Sequence, residues 1–153
     1  MKTTSFNIEI ASVAEKVLMA DGAATFMKHL ERPDSPRAPL TADQRPMVAG
    51  MAWLQAGRLV SELSPWITEL EKHGEGSHEG NLRLSLKGIL PQWFQQSLET
   101  FIVRLTVAEL LGSEEPAVAA FNRSDAASTL EAIKNILRRR DLGHNPRIIP
   151  HYY

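Results

Sequence analysis

Apolar residues recur at alternating steps of four and three along much of this 153-residue chain, which is the spacing of one face of an α-helix. The first series predicts a helix over about 6–31 and stays in phase across Asp21-Gly22, a pair that otherwise suggests a turn. Gly22 then lies inside the helix, where it destabilises by roughly 1 kcal/mol relative to alanine. The members of the series are Phe6, Ile10, Val13, Val17, Ala20, Ala24 and Met27.

Two further series predict long helices near 43–63 and 91–111. The earlier one follows a proline-rich linker at 33–42, with Asp43 as a plausible N-cap. The later one starts at Pro91 and is apolar over more than half its circumference. That width predicts a position at the centre of the domain.

A fourth long helix is predicted near 125–141, and shorter helices are expected at about 65–72 and 113–121. Residues 82–90 are ambiguous, because their leucines alternate as in a strand but also fit a helical face. We favour a helix there, since a lone strand would have no second strand to pair with.

These elements predict one all-α domain over 1–153, with four long helices in a bundle-like arrangement and two or three short connecting helices. The linker at 33–42, a glycine-rich loop at 73–81 and a tail at 144–153 connect or end the helices.

Composition narrows the classes of partner. Seventeen basic and eighteen acidic residues give a net charge of −1, so no global field attracts nucleic acid or an anionic membrane. The absence of cysteine excludes disulfides, zinc-cysteine sites and thiol nucleophiles. Neither a secretory signal nor a transmembrane run is recognisable. We therefore expect a cytoplasmic protein that does not enter the membrane.

The loop "EKHGEGSHEGN" contains residue types that bind metals, among them His73, Glu75, His78 and Glu79. Glu75-x-x-His78 has the spacing of di-iron bundle proteins, where it works because both side chains project from one helix face. Three glycines make this segment a poor helix, and no second Glu-x-x-His exists in the chain. We predict a polar connector, with no metal and no cofactor.

The segment "LRRRDLGHNPR" contains Arg139 and His144 at an Arg-x4-His spacing. This spacing resembles the motif of the HEPN ribonuclease superfamily, small helical proteins that commonly dimerise around such pairs. The resemblance covers about six residues and implies metal-independent cleavage of RNA, with Arg139 and His144 facing the scissile phosphate. The alternative is that the arginines stabilise the negative end of the helix dipole and that His144 is an exposed residue beyond it.

The same end of the chain is a candidate nucleic-acid contact. The residues that would meet a phosphate backbone are Lys134, Arg138, Arg139 and Arg147, with Arg140 beside them. Because successive helical residues lie about 100° apart, at most two of the three consecutive arginines can face one groove.

The preferred interpretation is a non-enzymatic interaction protein, a small subunit or adaptor that binds a protein partner or its own copy. This interpretation rests on a surplus of apolar helix surface and on a small-residue face of the second helix. The residues expected at an interface are Gly50, Trp53, Gly57, Trp66 and Trp93. An HEPN-like ribonuclease and a nucleic-acid-contacting accessory subunit are the alternatives.

Overall fold

A computed structural model of the chain describes residues 2–35 and 38–142. The elements in chain order are β1 (Thr3–Glu9), α1 (Ile10–Glu31), α2 (Arg45–Leu63), β2 (Ile67–His73), β3 (Asn81–Lys87), α3 (Phe94–Leu111) and α4 (Pro116–Leu142), with short 3₁₀ turns at Ala42–Gln44 and Ser64–Trp66. The strands form an antiparallel sheet in the order β1–β3–β2. The prediction of an all-α domain is therefore wrong, because four long helices pack against a three-stranded sheet.

Strand β1 replaces the predicted first turns of the helix at 6–31. Phe6 and Ile8 are both buried, whereas Ser5 before them and Asn7 between them are exposed. This is the period of two that places alternate side chains on one face of a sheet. The four-residue step from Phe6 to Ile10 imitated a helix because the equally buried Ile8 was left out of the series.

Strand β2 replaces the short helix predicted at 65–72. Ile67 pairs with Leu86 and Leu70 pairs with Leu84, and the register shifts between Ile67 and Glu69. A β-bulge adds one residue to one strand of a pair. The helix was predicted from Ser64-Pro65 as a helix start, but these residues form only a 3₁₀ turn before the strand.

Strand β3 replaces the helix preferred for 82–90. Leu82, Leu84 and Leu86 are fully or almost fully buried, and the strand pairs with β1 on one side and β2 on the other. A strand at 82–90 was expected to lack a partner because the segments of β1 and β2 were both predicted to be helical.

The helices cover the apolar face of this sheet. Helix α3 contacts all three other α-helices, and Phe94 at its start packs on Phe6 with ring centroids 5.5 Å apart. The largest fully buried side chains come from sheet and helices alike: Phe94, Ile8, Ile10, Leu59, Leu63, Leu82, Leu84, Leu86, Leu98, Ile102, Leu111 and Ile133.

Helix α4 is continuous where two helices, at 113–121 and 125–141, were predicted. Asp125, the predicted start of the later helix, lies inside α4 and together with Asn122 binds Arg104 of α3. The Arg104 guanidinium donates to Asn122 Oδ1 at 3.2 Å and lies 3.0 Å from Asp125 Oδ2. Asn122 Nδ2 also donates to the Val118 carbonyl at 2.9 Å, so its side chain is satisfied within the helix packing. In the described part of the chain, no helix is long and apolar enough to cross a membrane.

Candidate interaction surfaces

Helix α1 has an apolar stripe on the side that faces solvent. Met19, Phe26 and Leu30 are 72%, 62% and 62% exposed, and Ala23 between them is exposed as well. These four residues follow steps of four, three and four, which places them within about 60° of one another around the helix. We call Met19, Ala23, Phe26 and Leu30 the α1 stripe. Single exposed apolar residues are common on surfaces, whereas a continuous row is a candidate contact site.

The core-facing side of the same helix is polar in its second half. Asp21 and Thr25 are 4% and 3% exposed, and Asp21 Oδ2 accepts a hydrogen bond from the Leu40 backbone amide at 2.8 Å. The segment before α2 thus packs on α1 through a carboxylate. Met27, predicted to face the core, is 55% exposed beside the α1 stripe. The signal that sequence reasoning missed is a second apolar row, about a third of a turn away from the one it followed.

Opposite charges flank the α1 stripe at its two ends. Lys16 and Glu31 lie on the same flank of the helix, about four turns apart, with the stripe between them. Lys16 makes a long ion pair with Glu99 at 3.4 Å, and Glu31 is exposed. The row is therefore apolar in the middle, with Lys16 and Glu31 on one flank, and Glu15 at its N-terminal end is already paired with Arg45.

A cleft of about 460 Å³ lies between three parts of the chain. Lys2, which precedes β1, forms one side, and the connection from β3 to α3 forms another through Ile89 and Trp93. Arg139 and Arg140 on the last turns of α4 form the third. We call this the basic cleft, since three of its lining residues are cationic and none of the described lining residues is acidic.

The chain builds the basic cleft around a tight turn after β3. Gly88 has φ of +98° and a Cβ at this position would lie 3.3 Å from Cβ of Arg140. Glycine thus allows both the left-handed conformation and the close approach of α4. The Thr4 hydroxyl donates to the Gly88 carbonyl at 2.8 Å and accepts from the Leu90 amide at 2.9 Å. The turn is held on β1, and Lys2 is held beside it.

The cleft brings together three residues singled out from the sequence, Arg139, Arg140 and Trp93. Arg139 was a candidate for catalysis and nucleic-acid binding, and Trp93 was a candidate for an interface. Lys2 and Ile89 were missed, because nothing in their local sequence shows that the start of the chain meets the end of α4.

The other predicted basic residues lie elsewhere. Lys134 pairs with Glu62 of α2 and its side chain is 18% exposed. Arg138 lies next to Asn135 at 3.1 Å and Glu131 at 3.8 Å along its own helix. Two of the three consecutive arginines face the cleft and the third does not, as helix geometry requires. His144 and Arg147 lie outside the described residues, so the Arg139–His144 pair remains a prediction.

The remaining predicted interface residues have different settings. Trp53 is buried in the core and offers little surface to a partner, and Trp66 is half-buried. Gly50 and Gly57 lie on the outer side of α2, with open space within 4 Å of the Cβ that each lacks. That side also carries Leu54, which is 71% exposed. Their role in an interface remains a prediction.

The glycine-rich loop joins β2 to β3 as a hairpin. Its candidate ligands point to other partners: His73 Nε2 lies 3.2 Å from Glu71, and Glu75 lies 3.4 Å from Lys72. Within residues 2–35 and 38–140, no three histidine, aspartate or glutamate side chains are grouped as metal ligands.

Comparisons with known proteins assign no class. No protein-family model matches the chain, and neither a curated protein nor a solved structure matches it.

Proposed function

We propose that this protein acts by protein contact rather than by catalysis, as a small subunit that self-associates through the α1 stripe. The observation that carries the proposal is the row of exposed apolar side chains at Met19, Ala23, Phe26 and Leu30, on a helix whose other side already packs in the core. Steps of four and three are the spacing by which two helices interlock along a seam.

The pattern of sizes and charges favours a second copy of the same helix in antiparallel orientation. A two-fold axis between Ala23 and Phe26 places the small Ala23 of one copy opposite the large Phe26 of the other, and Met19 opposite Leu30. Lys16 then lies within about 3 Å along the axis of Glu31 in the second copy, given a rise of about 1.5 Å per residue. A two-fold interface needs such self-complementarity.

The stripe is short, and this sets the expected strength. Four or five side chains over about three helical turns make an interface at the small end of the range for specific complexes, and small interfaces are weak and transient. We therefore expect a reversible dimer whose population rises with protein concentration.

Sedimentation velocity of the full chain, from micromolar to millimolar concentration, tests the proposal. Phe26→Glu and Leu30→Glu should each abolish the dimer. The matched controls are Phe121→Glu and Leu54→Glu, which place the same change at residues 64% and 71% exposed on α4 and α2. The controls should self-associate as the unchanged protein does.

Circular dichroism shows whether each variant is folded. A chain that stays monomeric at every concentration contradicts the proposal, and so does a dimer that only the control variants disrupt.

A further inference from the structure

The basic cleft combines three cations, which form no ion pair within residues 2–35 and 38–140, with an exposed aromatic wall. We propose that it binds a nucleotide, with the phosphate held between Lys2, Arg139 and Arg140 and the base against Trp93. The α1 stripe and the cleft share no residue, so this inference does not rest on self-association.

The charges of the cleft select an anion. Lys2, Arg139 and Arg140 are all exposed, and within residues 2–35 and 38–140 none of the three makes an ion pair with an acidic side chain. Two other cations of the same helix are both beside carboxylates: Arg138, which adjoins Arg139, and Lys134, which lies more than one turn before it. Unlike these two neighbours on α4, the three cleft cations are therefore available to a ligand. Guanidinium groups suit phosphate because their fork of donors matches its oxygens.

The apolar wall selects a ligand with a flat ring. Trp93 is 56% exposed and Ile89 is 60% exposed, although both lie next to the core. The Trp93 ring meets Phe94 at an interplanar angle of 51°, with centroids 6.4 Å apart, and Phe94 is itself fully buried. The indole thus contacts the core on one side and leaves more than half of its surface exposed. A base stacks on such a surface whatever its identity, because every base has a π-face.

The size of the site favours a single nucleotide over a long nucleic acid. A cleft of about 460 Å³ lies in the range of small-molecule sites, roughly 300–1,000 Å³. A tract of phosphates would need a row of cations beyond the cleft, but Lys134 and Arg138 pair with acids and the net charge of the chain is −1. The proposed ligand is a 5′-nucleotide, either free or at the end of a single strand.

Titration of the untagged full chain with adenosine 5′-monophosphate, followed by NMR, tests this. The chain has three tryptophans, so three indole N–H signals report separate places. Trp93 should shift, while the buried Trp53 should not. Adenosine and inorganic phosphate, each alone, should bind at least about tenfold more weakly than the nucleotide, since each makes half of the contacts.

The variants separate the cleft from the rest of the basic helix. Arg139→Ala with Arg140→Ala, and Trp93→Ala by itself, should each weaken binding about tenfold or more. The matched control is Arg138→Ala, which removes the adjacent arginine on the side facing Glu131. It should leave the affinity unchanged. Equal losses in the control and in the double variant would overturn the proposal, because only nonspecific charge would then be at work.

A second binding experiment distinguishes a free mononucleotide from the terminal nucleotide of a strand. A 5′-phosphorylated RNA trimer that binds like the mononucleotide, and loses binding in the same variants, supports recognition of a terminal nucleotide. A mononucleotide that binds while the trimer does not supports a free ligand. The proposal is overturned if no nucleotide shifts Trp93, or if only an acidic peptide does so.

Discussion

Trp53 Nε1 donates a hydrogen bond to the backbone carbonyl oxygen of Ser77 across 2.9 Å, which fastens α2 to the loop between β2 and β3. The same carbonyl accepts from the Gly80 amide at 3.2 Å. Because the Trp53 ring is buried at 7% exposed, it packs beneath the hairpin and gives that loop a fixed place on the helices. This contact explains how a loop with three glycines is held in one conformation.

Trp53→Phe should lower the free energy of unfolding by about 1–3 kcal/mol. The smaller ring leaves a gap, and the Ser77 carbonyl loses one of its two donors. Urea unfolding followed by circular dichroism measures the change. Trp93→Phe, the same replacement at a ring that is 56% exposed, should have much less effect. Equal losses in the two variants would contradict a structural role for the Trp53–Ser77 contact.

Gly80→Ala should destabilise by roughly 2 kcal/mol or more, because a methyl group has no room there. Its Cβ would lie 2.6 Å from the His73 carbonyl oxygen and 2.7 Å from Cζ2 of Trp53. The control is Gly57→Ala on α2, where nothing lies within 4 Å. There alanine should stabilise by about 0.5–1 kcal/mol through its helix propensity.

The Gly57 variant also tests the interface predicted from sequence. A partner that packs its backbone on Gly57 would be pushed away by alanine, so self-association would weaken while the monomer became more stable. Thermal unfolding and sedimentation on the same sample separate the two effects. An unchanged dimer would leave the α1 stripe as the contact surface and exclude Gly57 from it.

The sequence predicts long helices well and strands poorly, for a physical reason. The apolar residues of a helix such as α2 recur with the helical period within its own sequence, so the helix can be predicted without reference to any other part of the chain. A strand is stabilised by pairing with distant residues, as Thr3 is with Lys87, and that pairing has no local signature. The bulge in β2 hid the period of two as well.

The candidate surfaces were partly predictable in the same sense. Arg139 and Trp93 stand out by residue type, and the α1 stripe is visible as a second row once both sides of the helix are read. Asp21 and Thr25 at core-facing positions contradict the pattern that sequence reasoning assumes, because their polar groups are satisfied inside the fold. The basic cleft could not be predicted, since Lys2 approaches Arg140 only through the pairing of β1 with β3.

Asn122→Ala should destabilise by about 1–3 kcal/mol, because it removes the acceptor of Arg104 from a site that is 4% exposed. The loss falls between α3 and α4, so hydrogen exchange should accelerate near Asn122 more than in the sheet. Asn135→Ala is the matched control on the same helix, at an exposed position, and should change stability by less than about 0.5 kcal/mol. A similar effect of both variants would mean that Asn122 acts only through helix propensity.

The last prediction tests the antiparallel orientation by exchanging charges at the ends of the α1 stripe. Glu31→Lys places a cation beside Lys16 of the second copy, twice in a two-fold dimer, and should weaken the dimer. Surface ion pairs contribute about 0.2–1 kcal/mol each, so two of them correspond to a change of roughly two- to thirtyfold in the dissociation constant. The effect should shrink at high salt, where exposed charges are screened.

The double variant Lys16→Glu with Glu31→Lys decides the matter, because it restores opposite charges only if these two positions meet across the dimer. We expect its dissociation constant, from sedimentation velocity at low salt, to return close to that of the unchanged protein. Loss of the Lys16–Glu99 pair inside each copy is the one extra change, and at 3.4 Å with 47% of the lysine side chain exposed it is a weak contact. Lys16→Glu alone controls for it, since it breaks both contacts. In a parallel pairing Lys16 and Glu31 lie 15 residues apart along the paired helices, so the two positions never meet, and neither the single changes nor the double change turns repulsion into attraction across the dimer. Single variants that dimerise as the unchanged protein does at low salt would therefore exclude the antiparallel arrangement and keep the stripe.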